Sequence, residues 1–155
     1  MRNILVTGGT GFVGSHMIDY ILKYAIRPDQ KVYCTKRWME DTKNVDHIDD
    51  ERLEFVDCDL LDAHSIRRAV EVSKPEKVFH FAAQSFPEVS FKMPVITLQT
   101  NTLGTTHLLE AIKESDYDPV IVSISTSEVY GMPEEDEVPI KETNPIRAAN
   151  PYSIS

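Results

Sequence analysis

Ile4-Leu5-Val6-Thr7-Gly8-Gly9-Thr10-Gly11-Phe12-Val13-Gly14 is the stretch that decides the fold. Three apolar residues of strand type run into a glycine-rich turn. Phe12, Val13, Met17, Ile18, Ile21 and Leu22 then recur at a spacing of about 3.6, the period of an amphipathic helix. Gly8 permits a turn that other residues resist, Gly11 allows a pyrophosphate to approach the backbone, and Gly14 allows the helix to pack closely on the strand. A lone glycine pattern also suits a bland turn. Its place between a strand and a helix, at the start of a βαβ unit, points to phosphate binding at the helix N-terminus.

Working outward, apolar segments alternate with helical ones. Strands are predicted over about 3–7, 31–35, 53–57, 77–81 and 119–125, and helices over about 12–25, 63–73 and 94–114. Asp62 is a fitting N-cap, Pro75 stops the second helix, and Pro94 stands near the start of the third. Residues 36–51 are polar and charged and read as a surface loop, and the run after Ser125 reads as loop up to Tyr152-Ser153-Ile154-Ser155. The fifth strand is apolar enough to lie in the middle of a sheet. Alternation of this kind predicts an α/β fold, a doubly wound parallel sheet of about five strands in the order 3-2-1-4-5. Ligands in such sheets lie beyond the carboxyl ends of the strands, at the switch point between strands one and four.

The totals limit the function classes. The 155 residues are 41% hydrophobic, enough for one domain with a buried core. Twenty-five acidic against sixteen basic residues give a net charge of -9, and no basic stripe suggests a nucleic-acid partner. No apolar run is long enough for a membrane span, and the chain enters its first strand without a signal-peptide pattern, so a cytoplasmic location is expected. Cys34 and Cys58 lack metal-site spacing, so no metal is expected and both read as reduced thiols.

The strand ends carry the candidate chemistry. After the second strand comes Thr35-Lys36-Arg37, with no carboxylate where a ribose ligand usually falls. The guanidinium of Arg37 suits a 2′-phosphate, which favours NADP, against the plainer reading of a solvated charge pair. Asp59-Leu60 after the third strand suits either an adenine contact or a helix entrance. Phe81, Ala82 and Ala83 after the fourth leave room for a cofactor ribose, with Gln84 and Ser85 offering hydrogen bonds toward the reacting end. His80 reads as a satisfied sheet residue rather than a catalyst. Thr126 and Glu128 follow the fifth strand, and Tyr152 comes after a loop. A phenol serves as general base when a nearby cation favours its ionised form.

With these motifs in place the chain resembles the N-terminal, cofactor-binding part of the extended short-chain dehydrogenase/reductase family. The resemblance rests on residues 7–14, Asp59-Leu60, Phe81-Ala82-Ala83, Ser125-Thr126-Ser127-Glu128 with Tyr130-Gly131, and Asn150-Pro151-Tyr152. Within the family it is most similar to the GDP-mannose 4,6-dehydratase branch, through Ala82-Ala83-Gln84-Ser85 with Ser90-Phe91, Lys36-Arg37, and Ser127 where the dTDP-glucose branch has Asp. Asn101 is a departure, being the residue of the sister epimerases and dTDP-sugar dehydratases where the GDP-mannose branch tends to Asp.

The resemblance implies a Rossmann-type NADP-binding domain over 1–155, incomplete at its C-terminal end and without a second, substrate-binding domain. It implies cofactor contacts at Gly8, Gly11, Phe12, Val13, Gly14, Arg37, Asp59, Leu60, Phe81, Ala82, Ala83 and Ser85. It implies that Tyr152 takes a proton from sugar O4, Thr126 hydrogen-bonds O4, and Glu128 abstracts the C5 proton, so that GDP-mannose becomes GDP-4-keto-6-deoxymannose. The family's Tyr-x-x-x-Lys motif places its lysine after Ser155, so the chain reads as a fragment, inactive alone, of a protein expected to form homo-oligomers. The alternatives are a nucleotide-sugar 4-epimerase or 4-ketoreductase, which need no base at C5, and a non-catalytic NADP-binding module.

Overall fold

The computed structural model describes residues 3–155. Five parallel strands form one sheet: β1 (Asn3–Thr7), β2 (Val32–Lys36), β3 (Leu53–Asp57), β4 (Pro75–His80) and β5 (Val120–Ser123), in the order β3-β2-β1-β4-β5. The doubly wound sheet read from the alternation is therefore present, with its switch point between β1 and β4. The register sets Val6 between Cys34 and Phe79, and Thr7 beside His80.

Side-chain alternation along β1 divides the core in two. Ile4 and Val6 join Ile18, Ile21, Leu22, Val32 and Cys34 on one face, under helix α1 (Phe12–Tyr20). Leu5 joins Val78, Ile66, Val70, Leu108 and Ile112 on the other, under α2 (Ala63–Ser73) and α5 (Gly104–Lys113). All five residues of β1 are buried because both faces and both edges of that strand are covered.

The element bounds differ from the sequence reading in instructive ways. The first helix continues beyond Tyr20 as a π-helical turn, Ile21–Ala25. Asp62 caps α2, its carboxylate accepting from His64 N at 3.0 Å. At the other end of α2, Lys74 is left-handed, and Pro75 starts β4 rather than merely ending the helix. The long helix read over 94–114 is α4 (Pro94–Leu98), a π-helical turn (Gln99–Leu103) and α5, and a short α3 (Pro87–Lys92) precedes it.

The polar loop 36–51 is anchored to the body of the molecule. Val45 is buried in the core, and Asn44 Nδ2 donates to the Thr10 carbonyl in the glycine turn at 2.9 Å. The expectation that the fifth strand lies mid-sheet is not met among the described residues. β5 is an edge strand paired only with β4, and Val120 is 67% exposed because no neighbouring strand or helix covers that side.

Candidate functional site

The cleft is built where the carboxyl ends of the strands meet the glycine turn. Gly8 has φ +66°, and a Cβ there would lie 2.8 Å from Ala82 Cα, so the turn needs glycine for both conformation and space. A Cβ on Gly14 would meet Gly8 O at 2.3 Å, so α1 can begin hard against the strand end only because that position is bare. Gly11 N donates to Gly8 O at 3.1 Å, tightening the turn, and Gly8 N donates to Thr35 Oγ1 at 3.1 Å, fastening it to β2.

Phe12 and Val13, counted by periodicity among the core positions of the helix, are 75% and 55% exposed. They belong to the first turn of α1, which projects over the cleft, and the buried stripe begins only with Gly14, Ser15 and Ile18. The backbone N–H groups of a first helical turn have no carbonyl one turn behind them. Here that turn lines the cleft, so the arrangement can receive an anion.

A continuous cleft of about 1150 Å³ runs from this turn across the strand ends. It is lined by Gly8, Gly11, Phe12, Val13 and Gly14, by Arg37, Asp59 and Leu60, and by Phe81, Ala82, Ala83 and Ser85. Thr126 and Tyr152 line it as well, at the β5 end. The structure thus brings together every sequence-derived candidate except one. Glu128 is half-buried, does not itself line the cleft, and its Oε2 accepts from Asn150 Nδ2 at 2.7 Å.

Local hydrogen bonding explains each position. Lys36 Nζ is paired with Asp57 at 2.8 Å, which removes it from the cleft's free charges. Arg37 is largely exposed, its Nη2 lies 3.3 Å from Glu40 Oε1, and its backbone N–H donates to Glu40 Oε2 at 2.9 Å. Asp59 lines the cleft, and its carboxylate accepts from Leu61 N at 2.9 Å at the entrance to α2. Leu60 is buried against Gly104, where a Cβ would come within 2.7 Å of it.

His80 is a satisfied core residue. Its Nδ1 lies 2.6 Å from Thr7 Oγ1 and its Nε2 3.0 Å from Thr105 Oγ1, and burial pushes its pKa down to about 4. Both cysteines are free thiols, and burial pushes Cys34 up to about 12 and Cys58 up to about 11, which leaves both inert at neutral pH.

Gln84, read as offering hydrogen bonds toward the reacting end, has its side-chain amide already engaged within the protein. It lines the cleft, but its side chain donates to Thr97 Oγ1 and Phe86 O and accepts from Phe86 N, so it braces α4. Asn101, in the π-helical turn, closes the same network by accepting from Gln84 N at 2.8 Å. At the β5 end, Thr126 Oγ1 accepts from Glu128 N at 3.2 Å and caps the short turn Ser127–Tyr130. Tyr152 stands on α6 (Pro151–Ile154), capped by Asn150. The contacts made by Asn150, Glu40 and Thr35 were not read from the sequence. Only Asn150 carried a local signal, an Asn before Pro at the first position of a helix.

A parallel sheet with a glycine-bound strand–helix turn and a cleft across its switch point defines a dinucleotide-binding α/β protein. The family model described as GDP-mannose 4,6 dehydratase matches residues 5–155. The chain is 34% identical over 160 residues to dTDP-D-glucose 4,6-dehydratase of Homo sapiens, covering 99% of this chain and 43% of the relative. It is 32% identical over 164 residues to GDP-mannose 4,6-dehydratase of Vibrio cholerae, covering 99% of this chain and 42% of the relative. The UDP-glucose 4-epimerase of Thermus thermophilus, solved in complex with NAD, superimposes with a TM-score of 0.84 at 30% identity, over 99% of this chain and 47% of that one.

The chain belongs to the GDP-mannose 4,6 dehydratase family of nucleotide-sugar dehydratases and epimerases, within the extended short-chain dehydrogenases/reductases. It spans less than half the length of these relatives. No helix among the described residues is long and apolar enough to cross a membrane.

Proposed function

We propose that this chain is the cofactor-binding and partly catalytic portion of an NADP-dependent dehydratase that converts GDP-mannose to GDP-4-keto-6-deoxymannose. The observation that carries the reading is the unbroken cleft joining the glycine turn at one end to Thr126 and Tyr152 at the other. The residues present fit a dinucleotide. The bare cradle at Gly8 and Gly14 leaves room that a Cβ would fill, and the first turn of α1 offers N–H groups to a diphosphate. The Arg37 fork suits a 2′-phosphate, in competition with Glu40. When bound, the nicotinamide would accept a hydride from sugar C4 and return it to C6.

The chain's own groups handle the protons. Tyr152 takes the proton of O4, and Thr126 orients that oxygen. The ketone formed at C4 acidifies the neighbouring C5–H, which Glu128 removes. The C6–O bond then breaks, and the hydroxyl leaves as water with the proton from Glu128. C5 afterwards takes up a proton from solvent, matching the one that Tyr152 removed from O4 and releases, to complete the 6-deoxy product. A positioned base of this kind contributes roughly 10²–10⁴-fold.

A UDP-glucose 4-epimerase is the second reading. It is favoured by the seating of Glu128 against Asn150 outside the cleft lining, since epimerisation needs no base at C5. Incubating the complete protein with GDP-mannose, dTDP-glucose and UDP-glucose in turn, with chromatographic separation of epimers and mass spectrometry of the products, decides between them. Loss of one water from GDP-mannose is expected. An isobaric 4-epimer from UDP-glucose would replace the dehydratase reading with the epimerase.

A further inference from the structure

The segment that delivers Tyr152 is fastened to the segment that delivers Glu128 at three points. Arg147 N donates to Val129 O at 2.8 Å. Gly131, at φ +64°, lies so close to Arg147 that a Cβ would sit 2.4 Å from the Arg147 carbonyl oxygen. The third point is Asn150, whose side-chain amide is committed at both ends. Its Oδ1 accepts from Ser153 N at 2.8 Å and so caps α6, while its Nδ2 donates to Glu128 Oε2 at 2.7 Å. The orientation of the amide follows from its partners, because a backbone N–H can only donate and a carboxylate can only accept.

Ser153 Oγ completes the cap by accepting from Ala149 N and Asn150 N, each at 3.1 Å. At the far end of α6, Asn101 Nδ2 donates to Ser155 Oγ at 2.8 Å. A four-residue helix has no stability of its own, so its direction is set by these ties. Among the described residues, Glu128 Oε1 has no side-chain partner, which leaves one carboxylate oxygen available for chemistry.

We propose that Asn150 is a positioning residue that fixes the Glu128 carboxylate relative to Tyr152. Proton removal at O4 and at the adjacent C5 is then carried out by two groups held at one spacing through a single amide. This rests on the reading of Glu128 as the C5 base. The amide holds Oε2, and Oε1 takes the C5 proton as the C6 hydroxyl departs with it as water.

The test uses the complete protein. Asn150→Ser keeps an N-capping oxygen and removes the amide donor. On rapid mixing with GDP-mannose, nicotinamide reduction should stay within about twofold of the parent, the scatter of independent effects. Water loss should slow by about 10- to 100-fold, a part of what a positioned general base contributes. In a Glu128→Gln background, Asn150→Ser should add no further loss. Independently of any substrate, the ¹⁵N–¹H resonance of the Asn150 side-chain amide should shift on Glu128→Gln. An unmoved resonance, equal slowing of both steps, or a fully additive double variant would overturn the proposal. If the wild-type protein turns a nucleotide sugar over without losing water while the resonance still shifts, the dehydratase reading fails, and the role of Asn150 in elimination fails with it.

Discussion

Arg37 meets the cleft with its guanidinium already leaning on Glu40, so in the proposed NADP reading two residues rather than one bear on the 2′-phosphate. A 2′-phosphate must displace or share the Glu40 carboxylate, whose charge also opposes it. Glu40→Gln is expected to tighten NADPH severalfold while leaving NADH little changed, as fluorescence titration with each would show. Equal affinities in both proteins would remove Arg37 from the site.

His80 gives a pH dependence at the same scale. Its folded pKa of about 4 lies below the ordinary 6.5, so the unfolded chain takes up the proton first. Its contribution is complete above pH 6.5 and is lost as pH falls toward 4. A window of that width corresponds to roughly 3 kcal/mol at ~1.36 kcal/mol per pH unit. Urea unfolding at pH 7, 5.5 and 4.5 should show that slope, and His80→Gln should flatten it.

Among the elements, the turn between β1 and α1 is the most constrained. A Cβ on Gly14 would meet backbone atoms at 2.3 Å and 2.7 Å, Gly8 O and Gly9 Cα, and backbone cannot yield as a flexible side chain does. Gly14→Ala should therefore cost about 1–3 kcal/mol of stability and abolish NADPH binding together. Chemical denaturation and titration measure the two losses, and an alanine variant that binds normally would show that α1 does not have to start where it does. The π-helical turns after α1 and before α5 are a different matter. The second carries Asn101, whose side chain closes the Gln84 and Ser155 network. Periodicity alone reads both as ordinary helix, because a single extra residue per turn scarcely alters an apolar stripe.

At the scale of the whole molecule, two cores on either face of β1 hold the sheet, and the β5 side is open. Val120, Val122 and Ile124 are exposed along that edge. A bare apolar edge is a template for pairing. The 155-residue chain on its own should self-associate at micromolar concentration, and Val122→Lys should reduce this in light scattering without changing the circular dichroism spectrum. An unaltered mass distribution would place the association elsewhere.

The sheet order and the location of the cleft were legible because they depend on local pattern. Strand runs, helical stripes and the three glycines act within a few residues of each other, and parallel connectivity then leaves one arrangement. The cofactor-side candidates followed from that arrangement, since residues after parallel strands must line one rim. What the sequence could not show is what each side chain does on arrival. Gln84 turns into a brace, Phe12 and Val13 leave the core, Glu40 occupies Arg37, and Asn150 takes hold of Glu128. Those outcomes are pairings, some between residues far apart in the chain, and hydrogen bonds of about 3 Å depend on angles that only the assembled tertiary structure fixes.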